Sequence, residues 1–360
     1  MAPTSDGRLR WRLVDEDALE PQGSLFDVDQ LVQRDIGTGE FRGMEFLHVN
    51  ARTIINEVPA SSRMPFRYTI NVYRGCSHAC SYCFARPTHE YLGLDIGQDF
   101  ERKIVVKINA VERLKAELAG RRWGGHHIAM GTNTDPYQRC EGKYHLTRGV
   151  VEVLGDAANP FSILTKSTLI LRDLDLLATA AERAPVSANL SIGSLDPEIW
   201  KLTEPGTPHP ARRVEAVRRL NDAGVPCGVL IAPILPGLSD ADEQLQEVVR
   251  ACVDAGAVSI SAVTLHLRPG VREHFLADLA RSRPELAEEY RRRYRGANLP
   301  SPERQDISAR VRRMVDQARR RSRSRVRPDR SPHRGPDMPA GPPESRQPAD
   351  QLAWDLSADS

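Results

Sequence analysis

From about residue 43 onward, short apolar runs rich in β-branched residues alternate with longer stretches of helical period. This is the pattern of a parallel sheet assembled from βα units. Six runs read as strands: "YTINVY" (68–73), "HIAMGT" (127–132), "FSILTK" (161–166), "VSANLSI" (186–192), "CGVLIAPI" (227–234) and "SISAVTLHL" (259–267). Helices are predicted around 103–119, 147–156, 172–183, 210–223 and 240–255. In the fourth of these, Val214, Val217 and Leu220 form an apolar face that Gly224 closes as a C-cap. Six units predict an incomplete (β/α)6 TIM-like barrel, an α/β fold in which chemistry gathers where the strands end.

The ends of the chain break the pattern. Residues 1–42 are polar and weakly periodic, with turn-prone "PQGS" and "DIGTGE", and read as a mobile lead-in. The barrel and its C-terminal helices are assigned to 43–317, and an Arg/Pro-rich disordered tail to 318–360. A net charge of +2 conceals an uneven spread: residues 304–334 hold twelve arginines against three aspartates. Such a run attracts phosphate, so DNA or RNA is a candidate partner of the tail, a solvated segment being the plainer reading. "QGSLF" (Gln22–Phe26) resembles bacterial sliding-clamp-binding peptides, and "QLAWDL" (Gln351–Leu356) is a second apolar patch. "MAPTSDGRLRWRLVDE" has no signal-peptide core, and the longest apolar stretch, "VPCGVLIAPILPG", is broken by prolines. A cytoplasmic protein with no membrane span is expected.

In a reducing compartment six cysteines seldom mean disulfides, and clustered ones point to metal or redox chemistry. Cys76, Cys80 and Cys83 lie within eight residues directly after the first strand, with CxxxCxxC spacing. A structural zinc site usually closes with four ligands, whereas three thiolates can hold a cubane iron–sulfur cluster with one iron left open. The loop "RGCSHACSYCF", with aromatic Tyr82 before the last cysteine, resembles the signature of the radical S-adenosylmethionine (SAM) superfamily. That resemblance implies a [4Fe-4S] cluster, SAM bound at the open iron, reductive cleavage to a 5′-deoxyadenosyl radical, and a one-electron reductant of flavodoxin or ferredoxin type. Zinc through Cys76, Cys80, Cys83 and His78 in a nucleic-acid-binding protein, or a cluster serving only as electron carrier, are the alternatives.

The later strand ends supply polar groups suited to such a cofactor. "GTNTDPYQ" offers Gly131 for close backbone approach and Thr134 and Asp135 toward an amino group. "ILTKS" puts Lys166 where a carboxylate partner is needed. Ser191 is placed for a ribose, and Ala232 with Pro233 for backbone contact with a flat base. Together with "TEPGTPHPARRVEAVRRLNDAGVPCGVLIAPILPGLSD", these motifs resemble the spore photoproduct lyase-related branch of the superfamily over roughly 43–313, closest to an actinobacterial-type subgroup. The resemblance implies SAM contacts at Tyr82, Thr134, Asp135, Lys166, Ser191 and Ala232. At the position of that lyase's hydrogen-donating cysteine this chain has Thr132, whose O–H bond is too strong for the task. Cys140 is near in sequence but reads as a packing residue, as do Cys227 and Cys252. His126 and His127 point to opposite faces of a strand and read as structural. Arg67, Tyr68, Tyr73 and Arg74 interleave bases and aromatics, either to clamp nucleic acid or simply to pack.

Overall fold

Burial on both faces decides which segments become strands. Cys227 to Ile231 are buried without a break, as parallel strands covered on both sides require. The computed structural model describes residues 30–59, 62 and 64–325. The Gln22–Phe26 and Gln351–Leu356 segments and the chain beyond Arg325 lie outside the described residues.

Among the described residues eleven strands form two sheets. They are β1 (Gln30–Ile36), β2 (Glu45–Asn50), β3 (Ile55–Glu57), β4 (Tyr68–Ile70), β5 (Tyr73–Arg74), β6 (Lys103–Lys107), β7 (Ile128–Met130), β8 (Phe161–Thr165), β9 (Val186–Ser191), β10 (Cys227–Ile234) and β11 (Ile260–Thr264). In the larger sheet β4, β7, β8, β9, β10 and β11 are neighbours in chain order and all parallel, and β3 adds an antiparallel edge. A helix fills each crossover: Ala110–Leu118, Leu146–Asp156, Leu174–Ala181, Pro210–Asp222 and Asp242–Asp254. Among the described residues β3 and β11 do not pair, so the six βα units form an open barrel. Gly224 does close its helix: at φ +80° it donates to Asn221 O (3.0 Å), while Val225 N–H reaches Leu220 O (3.0 Å).

The smaller sheet, ordered β1-β2-β6-β5, corrects two expectations. Strand β1 lies inside the segment read as a mobile lead-in. The helix predicted over 103–119 starts only at Ala110, because Lys103–Lys107 is the strand between β2 and β5. Its Ile104, Val105 and Val106 are fully buried, each contributing roughly 1.5–3 kcal/mol. Three consecutive β-branched residues suit a pleated strand better than a helix.

The expected strand 68–73 is likewise two. After β4 the chain breaks at Asn71, which accepts from Asn133 N–H (3.1 Å) and donates to Thr132 Oγ1 (3.3 Å). It then enters the other sheet as β5. The aromatic residues here are used for packing: Tyr68 stacks on His126 and meets Trp123 edge-on, and buried Tyr73 donates to Glu141 (2.5 Å).

A final helix, Ser301–Arg325, extends past Ala318, where order was expected to end. Ile307, Val311, Met314 and Val315 form its buried face. Near its start Arg310 holds Asp240 O (2.7 Å) in the loop after β10; further on Arg319 reaches Val258 O (2.9 Å), just before β11. The helix thus runs from the rim where strands end to the rim where they begin.

Candidate active site

The three clustered cysteines occupy a loop pinned from several sides. Cys76 N–H donates to Phe100 O (2.9 Å), Ser81 N–H to Thr203 O (3.0 Å), and Gly206 N–H to His78 O (3.0 Å). Inside the loop's base lies Arg86, fully buried. It donates to Cys80 O (3.0 Å), Ile96 O (2.8 Å) and Gly97 O (3.2 Å), and pairs with Glu101 (2.5 Å). A guanidinium spends its several donors well on scattered carbonyls, and here they fix the turn carrying the thiols.

All three cysteines are free, Cys76 and Cys80 buried and Cys83 half-buried. Burial pushes each thiol pKa up, most strongly where acidic neighbours add to it, Asp135 at Cys76 and Glu204 at Cys80. Thiolates here therefore need a cationic centre as compensation. Among the described residues no three His, Cys, Asp or Glu side chains gather as ligands of a single metal ion would. His78, the residue considered for zinc, is turned to Asp135 instead (3.3 Å). Three soft thiols at separate points of one loop suit a polynuclear iron–sulfur group.

Beside this loop the strand ends converge. Lys166, directly after β8, donates to Ser191 Oγ at the end of β9 (2.5 Å) and to Ala232 O on β10 (3.2 Å), and lies 5.6 Å over the Tyr82 ring. Ser191 Oγ itself donates to Ala232 O (2.7 Å). That carbonyl lies where the β10–β11 pairing shifts register, between Ile231 and Ile234. Four of the residues expected from sequence, Tyr82, Lys166, Ser191 and Ala232, are thus one cluster.

Thr134 and Asp135 sit in the same region but are engaged by the protein. Thr134 Oγ1 donates to Gly75 O (2.6 Å). Asp135, its side chain 9% exposed, accepts from Lys166 N–H (2.7 Å), Thr165 Oγ1 (2.6 Å) and Tyr137 N–H (2.9 Å). Burial opposes its ionisation, but His78 and these hydrogen bonds outweigh it and lower its pKa. Gly131 is used as expected for close approach, though toward the next strand: at φ +85°, a Cβ there would stand 1.9 Å from Leu164 O.

Two residues that join this cluster give no signal in the sequence. Glu204 accepts from the Tyr82 hydroxyl and pairs with Lys166 (3.2 Å) and Arg213 (2.5 Å). Burial raises its pKa, but the charges of Arg213 and Lys166 prevail and bring it down to about 2. Arg213, fully buried, also holds Ser191 O (3.0 Å), Thr207 Oγ1 (2.5 Å) and Pro208 O (2.9 Å). Both stand in "TEPGTPHPARR", where an acid and an arginine beside prolines give no periodic signal. A small recess bordered by Tyr82, Gly193, Trp200, Glu204, Pro233 and Leu235 opens next to them. The other cysteines stay out of the site: Cys140, Cys227 and Cys252 are fully buried in the core.

Comparison with known proteins places this arrangement. An uncharacterised protein of Mycobacterium tuberculosis is 45% identical over 279 residues, which span 77% of this chain and 82% of that one. An uncharacterised protein of Methanocaldococcus jannaschii is 30% identical over 202 residues, 55% of this chain and 71% of that one. Among solved structures, a spore photoproduct lyase variant with bound AdoMet and dinucleoside spore photoproduct superposes with a TM-score of 0.56 at 19% identity, covering 76% of this chain and 79% of that one. At that identity it shows a common fold. The family model described as the radical SAM superfamily matches residues 70–250, which contain the cysteine loop and the three converging strand ends. This chain therefore belongs to the radical SAM superfamily, whose cofactors are a [4Fe-4S] cluster and S-adenosylmethionine.

Proposed function

We propose that Cys76, Cys80 and Cys83 hold the cluster and that SAM lies between them and the Lys166 cluster. When bound, the two cofactors supply one-electron reductive cleavage of SAM and hydrogen-atom abstraction from a substrate. The chain's own groups bind and orient. Lys166 offers an ammonium to the SAM carboxylate, Ser191 a hydroxyl to the ribose, and Ala232 its backbone to the base. Tyr82 lies under Lys166, and Thr134 and Asp135 fix the cluster loop from below while lining the amino-group side. Glu204 and Arg213 set the position of Lys166 and Ser191. The observation that carries this reading is the meeting of Lys166, Ser191, Ala232 and Tyr82 beside a buried three-thiol loop.

For the substrate we favour a nucleic acid, by analogy with the lyase that shares the fold and binds a dinucleoside photoproduct. The reaction differs from that lyase's, because Thr132 provides no weak S–H bond and its Oγ1 is hydrogen-bonded by Asn71. The catalytic unit runs from β1 through the final helix, and a flavodoxin- or ferredoxin-type protein is its reductant.

Anaerobic reconstitution with iron and sulfide, followed by reduction in the presence of SAM and chromatography for 5′-deoxyadenosine, tests the assignment. The wild-type protein should colour and form product, and Cys80→Ala should do neither. A Cys80→Ala protein that still released 5′-deoxyadenosine would overturn the assignment of the loop.

A further inference from the structure

Within the cysteine loop one polar atom has nothing to bond. Ser77 follows Cys76 directly, and its hydroxyl oxygen is buried without a hydrogen-bond partner. Orphaned buried hydroxyls are rare in native proteins, and each needs an explanation. Neglect of the surrounding loop is not the explanation, because the Ser77 backbone is held on both sides. Its N–H donates to Gln138 Oε1 (3.0 Å), and Gln138, itself fully buried, is tied to Gly75 O (3.0 Å) and Thr134 Oγ1 (3.0 Å). On the other side Gly206 packs so closely that a Cβ there would stand 2.2 Å from Ser77 O. The residue is fixed while its hydroxyl is left over.

We propose that Ser77 donates this hydroxyl hydrogen to a sulfur of the iron–sulfur group and thereby tunes its reduction potential. This rests on the assignment of Cys76, Cys80 and Cys83 as cluster ligands. A serine hydroxyl can serve an acceptor there, and the sulfides and thiolates of a cluster are the acceptors that the loop would bring alongside Cys76. Adding an electron makes those sulfurs more negative, so a donor stabilises the reduced form more than the oxidised one and raises the potential. Ser77 is thus a tuning residue: it eases reduction of the cluster without touching substrate.

The test compares full-length wild type with Ser77→Ala, Ser77→Thr and Ser77→Val after reconstitution, each titrated anaerobically and followed by electron paramagnetic resonance. At the wild-type midpoint the reduced-to-oxidised ratio should fall about tenfold in the two variants without a hydroxyl, the scale of one charge-assisted hydrogen bond. It should stay near one in Ser77→Thr. Threonine and valine have nearly the same shape, so a packing defect alone would shift both together. Equal potentials in Thr and Val variants would overturn the proposal, and so would variants that all fail to hold a cluster the wild type holds, since Ser77 would then support the loop only. A wild-type protein that binds no cluster would instead remove the cysteine assignment beneath it.

Discussion

Two triplets, each built on a buried glutamate, have the same composition and opposite character. In one, Tyr73 and Arg172 hold Glu141; in the other, Tyr82 and Arg213 hold Glu204. Glu141 is fully enclosed. Its remaining capacity is taken by Thr147 N–H (2.9 Å) and Arg148 N–H (3.2 Å) at the start of the helix Leu146–Asp156, so it caps that helix as well. Arg172 in turn grips Asp173, which Arg148 also holds (2.9 Å). Every partner belongs to rigid backbone, a planar fork or a buried phenol. Around Glu204 the third partner is a lysine, whose side chain is 15% exposed while that of Arg213 is 0% exposed. A flexible ammonium at the edge of a recess can turn to a ligand, which a guanidinium locked into two carboxylates cannot. Exposure does not separate the two, since the Arg172 side chain is 22% exposed; what does is a cation free to turn, a lysine in one triplet and a guanidinium bound to two carboxylates in the other.

The sharpest way to break this contrast is Arg172→Ala. Buried Glu141 and Asp173 would both lose a partner, and stability should fall by about 3–5 kcal/mol in chemical denaturation. SAM affinity of the folded protein should hold, and its loss would mean that the enclosed triplet also serves the ligand. Next in size, Lys166→Ala should weaken SAM binding roughly tenfold to a hundredfold by calorimetry, the worth of hydrogen bonds to a charged group. Cluster absorbance should persist; bleaching would make Lys166 part of the cluster's support.

A third effect is in acid. The Glu204 carboxyl is lowered from its ordinary 4.5 to about 2, so it contributes stability that is complete above about pH 4.5 and lost as pH falls toward 2. The advantage of wild type over Glu204→Gln, measured by denaturation at a series of pH values, should shrink across that window. A constant difference would show that Glu204 does not change protonation there.

The large sheet was legible because each of its six parallel strands is a local run of apolar or β-branched residues, from Tyr68–Ile70 to Ile260–Thr264. The small sheet was not. Two-residue β5 carries no periodicity, β6 is continuous in hydrophobicity with the helix after it, and β1, "QLVQRDI", gains its order from pairing with β2. Such pairings are set by partners distant in sequence. At the site, Lys166 could be read because a charge after an apolar strand is conspicuous. Glu204 could not, because its meaning lies in Tyr82 and Arg213, one of them 122 residues away.

The break at Asn71 has a mechanical consequence. Tyr68–Ile70 belongs to one sheet and Tyr73–Arg74 to the other, and Cys76 follows within two residues. The chain between Ile70 and Tyr73 therefore crosses the seam just before the loop, whose Ser81 and His78 are tied to Thr203 and Gly206 after β9, so any parting of that seam pulls on the first of the three thiols. Visible absorbance of the reconstituted protein would thus act as a strain gauge, bleaching when the sheets separate even while the helices of the barrel persist.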